Sequence, residues 1–331
     1  MKTPQLSFPK LAEALSITNE IWLKREDLHH YGSHKGRSIP LIISEYRKRG
    51  IKNFVISSSG NAALAAILAI QKFNQNNKGE PLKLVVLVGK KIDKEKLSGL
   101  KKAIADTIHD TWITIQENER PKQTAFQMEK DGKGTWLRQS TDDLALTGYQ
   151  ELAAELAKIP NLSAVFVPTS SGTTAQGLCE GFAALDLNPQ IHIVQTEECH
   201  PMVITSANHP MSPSFVRRGD AVSPPARPFG RELKAERGGV ALEGRGGGSL
   251  ASAIVDKVAH RKTKILEILK NSRGAGWIAT NEEIISTIKL VKEKTGIEIS
   301  PNSALSIVGL KQAIAAGEKW EGAVVCLVTG K

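Results

Sequence analysis

Long apolar runs, aromatic residues and paired cysteines are all scarce in this chain of 331 residues. The longest apolar run, Ala62 to Ile70, falls far short of the ~20 residues that cross a bilayer, and the opening MKTPQLSFPKLAEAL carries no apolar leader core. A cytoplasmic protein with no membrane partner is expected. Three cysteines, Cys179, Cys199 and Cys326, stand far apart with no ligand spacing. That argues against a disulfide framework and against a zinc site, and it predicts reduced, largely buried thiols. Aromatic residues make up only 5% of the chain, so its basic stretches are not interleaved with stacking side chains. No helix-turn-helix or RNA-binding signature accompanies them, which argues against nucleic acid despite a formal charge of +10. An anionic cofactor and anionic substrates would use part of that charge, and the rest reads as solvated surface.

The chain is long for one hydrophobic core and comfortable for two packed lobes, because single cores stop growing near roughly 250–300 residues. From Asn53 onward, apolar β-branched runs alternate with helical stretches: FVIS, then AALAAILAIQKF, then LKLVVLV, then a Lys-rich helix from Asp93 to Ile104. Such alternation predicts parallel strands buried on both faces in a doubly wound α/β lobe. Thr107 to Ile115 reads as the next strand and Pro121 to Lys130 as a helix. A second series follows: helix Thr147 to Lys158, strand Ala164 to Val167, the loop PTSSGTT, helix Ala175 to Leu185 and the strand IHIVQT. Further helices are expected near Leu250 to Leu269, Asn281 to Thr295 and Ser303 to Ala316, with a last strand from Ala323 to Val328. Between the series, residues 206–248 are rich in Pro, Gly and Arg and weakly periodic, which predicts an active-site cover or a flexible insertion.

Three short stretches carry candidate chemistry. Lys35 lies in YGSHKGR, ahead of a helical stretch. It is either a surface lysine or an amine whose pocket lowers its pKa enough for imine chemistry. Ser57 to Asn61 ends a strand and opens a helix, where free amides and small side chains bind anions; a capped turn would look similar. Ser170, Ser171, Gly172, Thr173 and Thr174 occupy another strand-to-helix turn and predict a phosphate nest, or else a well-capped turn with nothing bound. Gly244 to Gly248 follows no strand and reads as a hinge. His29, His30 and His34 have the spacing of no common metal site.

Taken in order, SHKGR, SSSGN, SSGTT and the closing CLVTGK resemble the motifs of pyridoxal-phosphate-dependent fold type II enzymes, the tryptophan-synthase-β-like family. The resemblance is greatest to its threonine-synthase branch and covers nearly the whole chain. Ser33, Lys35 and Arg37 match the family's Ser-x-Lys-x-Arg, while His34 stands where Phe or Val is usual and Gly36 where Asp is common. A dehydratase more often has His after the Asn of the second motif; Ala62 stands here.

The resemblance implies two doubly wound α/β domains, a smaller one over residues 36–146 and a larger cofactor-binding one from 1–35 and 147–331. It implies that Lys35 holds pyridoxal 5'-phosphate as a Schiff base and also acts as the acid/base. Asn61 would bond the cofactor's phenolic oxygen, Ser170 to Thr174 its phosphate, and Thr329 would lie beside its pyridine nitrogen. Ser58, Ser59 and Gly60 would bind the α-carboxylate of a small amino-acid substrate. The activity implied is that of a threonine-synthase-like lyase working by α-proton abstraction and β/γ-elimination or replacement. Serine/threonine ammonia-lyase, a cysteine-synthase-like β-replacement enzyme and a catalytically silent relative are the alternatives. A homodimer is common in the family. Arg37, Arg227 and Arg231 are candidates to grip a substrate phosphate.

Overall fold

The computed structural model of the protein describes residues 2–76, 79–105, 111–203 and 248–330. Residues 206–247 of the expected long loop, with Arg227, Arg231 and most of the Gly-rich segment, lie outside the described residues. The chain opens with β1 (Gln5–Ser7), α1 (Pro9–Ala14), β2 (Ile21–Arg25) and α2 (Ile39–Lys48). Next come β3 (Asn53–Ser57), α3 (Asn61–Asn76), β4 (Lys83–Gly89), α4 (Lys94–Ala105), β5 (Ile113–Asn118), α5 (Pro121–Lys130) and β6 (Thr135–Trp136). It continues through α6 (Leu144–Leu156), β7 (Leu162–Pro168), α7 (Thr173–Ala183) and β8 (Gln190–Thr196). After the undescribed segment come α8 (Lys262–Ser272), β9 (Gly276–Ala279), α9 (Asn281–Thr295), α10 (Pro301–Ala315) and β10 (Ala323–Val328).

The strands form two sheets, one in the order β5-β4-β3-β6 and one in the order β1-β2-β10-β7-β8-β9. Every pair is parallel except β1 with β2. Strand β10 shows why the second sheet is covered on both sides. Val324, Cys326 and Val328 pack with residues of α1, α9 and α10, whereas Ala323, Val325 and Leu327 pack with those of α6, α7 and α8. A strand buried on both faces needs a continuous apolar run, and AVVCLV is one. In the first sheet, Phe54, Ile56, Leu84 and Val86 face α2, α3 and α4, and Val55 and Leu87 face α5. Both lobes are thus doubly wound α/β units, as expected.

Two sequence readings are corrected. The strand expected at Thr107 to Ile115 runs instead from Ile113 to Asn118, paired Leu84 to Ile113 through Gly89 to Asn118. As an edge strand it tolerates a polar end that an apolar-run reading passes over. The helix expected from Leu250 to Leu269 begins only at Lys262. Upstream, the amides of Val255 and Asp256 donate to Ser170 Oγ at 3.2 and 3.3 Å, so these two are tied to the loop after β7 rather than to a helical carbonyl. No helix among the described residues is long and apolar enough to cross a membrane. Cys199 and Cys326 are buried, Cys179 is partly buried, and all three are free thiols.

Candidate active site

Parallel sheets offer ligands the space beyond the carboxyl ends of their strands. Here those ends, in both sheets, open onto one cavity of about 800 Å³. It is lined by Lys35, Ser58, Ser59, Gly60, Asn61, Ser170, Ser171, Gly172, Thr173, Thr174 and Thr329, so the residues expected to hold the cofactor and the substrate α-carboxylate share it.

Lys35 sits in a 3-10 turn, His34–Arg37, capped by Ser33, whose Oγ accepts from Lys35 N at 3.3 Å. Ser33 also bridges Gly330 in antiparallel fashion, which joins the lysine turn to the end of β10. A side chain at Gly330 would run into Asn61 Nδ2 and Ser33 Cβ, so glycine there lets three motifs meet. The departure at Gly36 has a local cause: a Cβ would fall on the His29 ring and on Tyr31 Cβ. His29 stacks on His30 with ring centroids 4.7 Å apart. Among the described residues no group of three or more His, Cys, Asp or Glu could hold a metal ion.

Arg37 does not reach the cavity. Its guanidinium donates to Glu26 Oε2 and Oε1 at 2.9 and 2.8 Å and to Glu155 Oε1 and Oε2 at 2.6 and 3.0 Å. Lys24 Nζ completes the buried cluster, 2.5 Å from Glu155 Oε2. Burial would raise the Glu155 carboxyl, but hydrogen bonds and charge from Arg37 and Lys24 bring it down to about 2. The family arginine is thus a structural ion here, and its candidacy for a substrate phosphate is withdrawn.

Helix α7 starts at Thr173, two residues earlier than the sequence suggested, so Thr173 and Thr174 form its first turn. Gly172 caps it at φ 84° with no side-chain cap, leaving first-turn amides for an anion. Ser171 Oγ lies 2.9 Å from Thr173 Oγ1, which donates to Gln139 O at 3.3 Å. Across the cavity, a Cβ built on Gly60 would meet nothing within 4 Å. That glycine keeps space open where a carboxylate is expected. A lysine side chain, an uncapped helix start, an unfilled Ser-Gly turn and a strand-end hydroxyl lining one cavity together fit pyridoxal phosphate with an amino acid beside it.

Sequence reasoning missed four cations in the same lining: Lys96, Arg120, Lys122 and Arg138. Lys96 Nζ donates to Ser252 Oγ at 2.7 Å, and Lys122 Nζ lies 3.4 Å from Asp256 Oδ1. Arg138 lies over the Trp136 ring at 4.9 Å and within 2.9 Å of His260 Nε2. With Lys35 they face Asp256, the single acid among the lining residues described. The available signal was position, since all four follow the carboxyl ends of β4, β5 and β6.

Residues 1–330 match the family described as "Pyridoxal-phosphate dependent enzyme". Threonine synthase of Mycobacterium leprae (strain TN) is 25% identical over 341 residues, spanning 99% of this chain and 80% of the relative. Threonine deaminase isoform 2 from Solanum lycopersicum superposes with a TM-score of 0.70 at 16% identity, covering 100% of this chain and 79% of the other. Serine racemase from Dictyostelium discoideum gives 0.72 at 17%, covering 100% and 92%. The two structural likenesses bear on the fold. The chain belongs to the family of pyridoxal-phosphate dependent enzymes, with pyridoxal phosphate as its cofactor.

Proposed function

We propose that the protein is a threonine-synthase-like lyase acting on O-phosphohomoserine or a closely related activated amino acid. The observation that carries this reading is the rim of Lys96, Arg120, Lys122 and Arg138, which faces the lysine, the Ser-Gly turn and the α7 start across one cavity. An unphosphorylated serine or threonine offers such a rim no distal anion, whereas a phosphorylated side chain does. Ala62 after Asn61 supports the same choice over an ammonia-lyase. So does similarity along 99% of the chain to threonine synthases, the one shown above among them.

The bound cofactor supplies an electron sink for negative charge at the substrate α-carbon. Lys35 would anchor the cofactor and, once its amine is free, would be the base that takes the substrate α-proton and later returns it. Ser58, Ser59 and Gly60 bind the α-carboxylate, and Asn61 and Thr329 orient the cofactor ring by hydrogen bonds. Ser171 to Thr174 and the α7 amides hold the cofactor phosphate. The basic rim would bind the substrate phosphate and carry its charge as it leaves, and addition of one water to the carbon chain would balance that loss in forming threonine. Ser170 is assigned a lesser part, because its hydroxyl already serves Val255, Asp256 N and Asp256 Oδ2.

The two sheets support a division into a lobe over residues 36–146 and another from 1–35 and 147–331, and we extend the proposal to a cytoplasmic homodimer. The test is turnover: inorganic phosphate release from O-phosphohomoserine, keto-acid formation from L-serine and L-threonine, and both in Lys35→Ala. Lys35-dependent phosphate release with threonine formed is the expected result. Keto acid alone would replace this reading by an ammonia-lyase, and no turnover of any amino acid would leave a silent relative.

A further inference from the structure

The main-chain carbonyl of Thr329 receives two hydrogen bonds from a single residue, one from His34 N at 2.9 Å and one from His34 Nδ1 at 2.8 Å. A carbonyl oxygen only accepts, so Nδ1 carries the ring proton and Nε2 is the bare nitrogen. Burial, with the Lys35 charge beside it, pushes the His34 imidazole down to about 3, so the ring is neutral at neutral pH and the bond to Thr329 O selects its tautomer. The ring packs against Tyr149 with centroids 6.1 Å apart, and the Tyr149 hydroxyl is held by Gln139 Nε2 at 2.6 Å. One residue further along, Gly330 O accepts from Ser300 Oγ and Ser303 Oγ at 2.5 and 2.8 Å. The end of β10 is therefore pinned by the α10 cap on one side and by His34 on the other.

His34 is the chain neighbour of Lys35, so one imidazole links the residue that anchors the cofactor to the residue that faces its ring nitrogen. A phenylalanine at this position would fill similar space and leave the carbonyl only its bond to the backbone amide. We propose that His34 is a positioning residue whose Nδ1–H bond to Thr329 fixes the separation between the Lys35 amine and the Thr329 hydroxyl. This rests on the site assignment above, and its consequence is that the site is set to the length of the cofactor ring before the cofactor arrives. Small misplacements of such groups are costly in both binding and rate.

The test compares His34→Phe, His34→Asn and His34→Gln with wild type for pyridoxal phosphate dissociation constant, pH dependence of the Lys35-dependent visible band, and thermal unfolding without cofactor. Asn can donate from about the position of Nδ1; Gln places its donor near Nε2, away from the carbonyl. The expected result is cofactor affinity within about twofold of wild type for Asn and about five- to tenfold weaker for Phe and Gln, the size of one buried hydrogen bond. The band's pH midpoint should move in Phe and Gln and stay in Asn. Wild-type affinity and band in the Phe variant would overturn the inference. Should the Phe variant not fold, the Asn and Gln pair decides: a difference in the stated direction supports the clamp, and equal behaviour overturns it. Absence of any Lys35-dependent band in the wild-type protein would instead remove the site assignment, and the inference with it.

Discussion

Replacing Arg37 by methionine removes four hydrogen bonds to two carboxylates and leaves Glu26, which is fully buried, with no cation bonded to it. Methionine fills much of the same volume, so the loss is chiefly electrostatic. Breaking a buried pair from one side costs about 3–5 kcal/mol, a large part of the 5–15 kcal/mol that holds a typical domain. Urea unfolding at pH 7 reads this directly. The pH dependence adds a sign. The Glu155 carboxyl lies at about 2 in the folded protein against an ordinary 4.5. A depressed acid contributes stability that is present above its unfolded pKa and is lost as pH falls through the folded one. Wild type therefore loses this contribution between about pH 4.5 and 2. The variant's deficit should narrow over the same descent, because protonation relieves the charge left without its partner. Adding Glu26→Gln should recover part of the loss at pH 7. A deficit under about 1 kcal/mol, or one that widens on acidification, would refute the reasoning. In the folded fraction the substrate KM should be unchanged, since Arg37 is absent from the cavity lining.

Gly60→Ala should leave thermal unfolding of the cofactor-free protein nearly unchanged, because its Cβ enters open space, while raising the amino-acid KM about tenfold by crowding a charged hydrogen bond; an unchanged KM would clear that turn of carboxylate binding. Ser171→Asp sets a second anion beside the α7 start and should weaken pyridoxal phosphate binding about a hundredfold, a few kcal/mol at the effective dielectric of a partly solvated site. Fluorescence titration with the cofactor measures it, and wild-type affinity would move the cradle elsewhere. Thr329→Ala keeps the carbonyl that His34 holds and should retain the cofactor with kcat down about three- to tenfold; unchanged kinetics would take the hydroxyl out of the mechanism.

How far the sequence could be read depends on how each element is buried. Helices α5 and α9 and strand β10 stand where the pattern put them, each with a local signal: Pro121 at a helix start, a Thr280 and Glu283 capping box, an unbroken apolar run. Strands β1, β2, β6 and β9 were not foreseen. They are short, and IWLKR hides its buried character behind Lys24, which is fully buried only because Glu155, Gln5 and Thr3 O receive its amine. Glu155 lies 131 residues away, beyond any local window. The candidate site was legible through four short motifs in the order of a known family, any one of which alone would pass for a capped turn or a surface lysine. The basic rim was not, since Lys96 and Lys122 look like any exposed helix lysine until the fold turns them toward a cavity.

Strand β10 lies between β2 and β7 in the middle of its sheet, and this gives synthesis an order. Residues 53–136 hold the whole of the smaller sheet as one contiguous stretch, so it can assemble while the rest of the chain is still being made. The larger sheet cannot close until residues 323–328 emerge, because among the described residues β1-β2 and β7-β8-β9 are joined into one sheet only by that last strand. Until then β2 and β7 each present an unpaired apolar edge, the kind of surface that chaperones bind and that invites aggregation. The same late event brings Thr329 to His34 and Lys35. A partly made or C-terminally clipped chain would therefore lack the contact between Thr329 and His34 as well as the closed sheet.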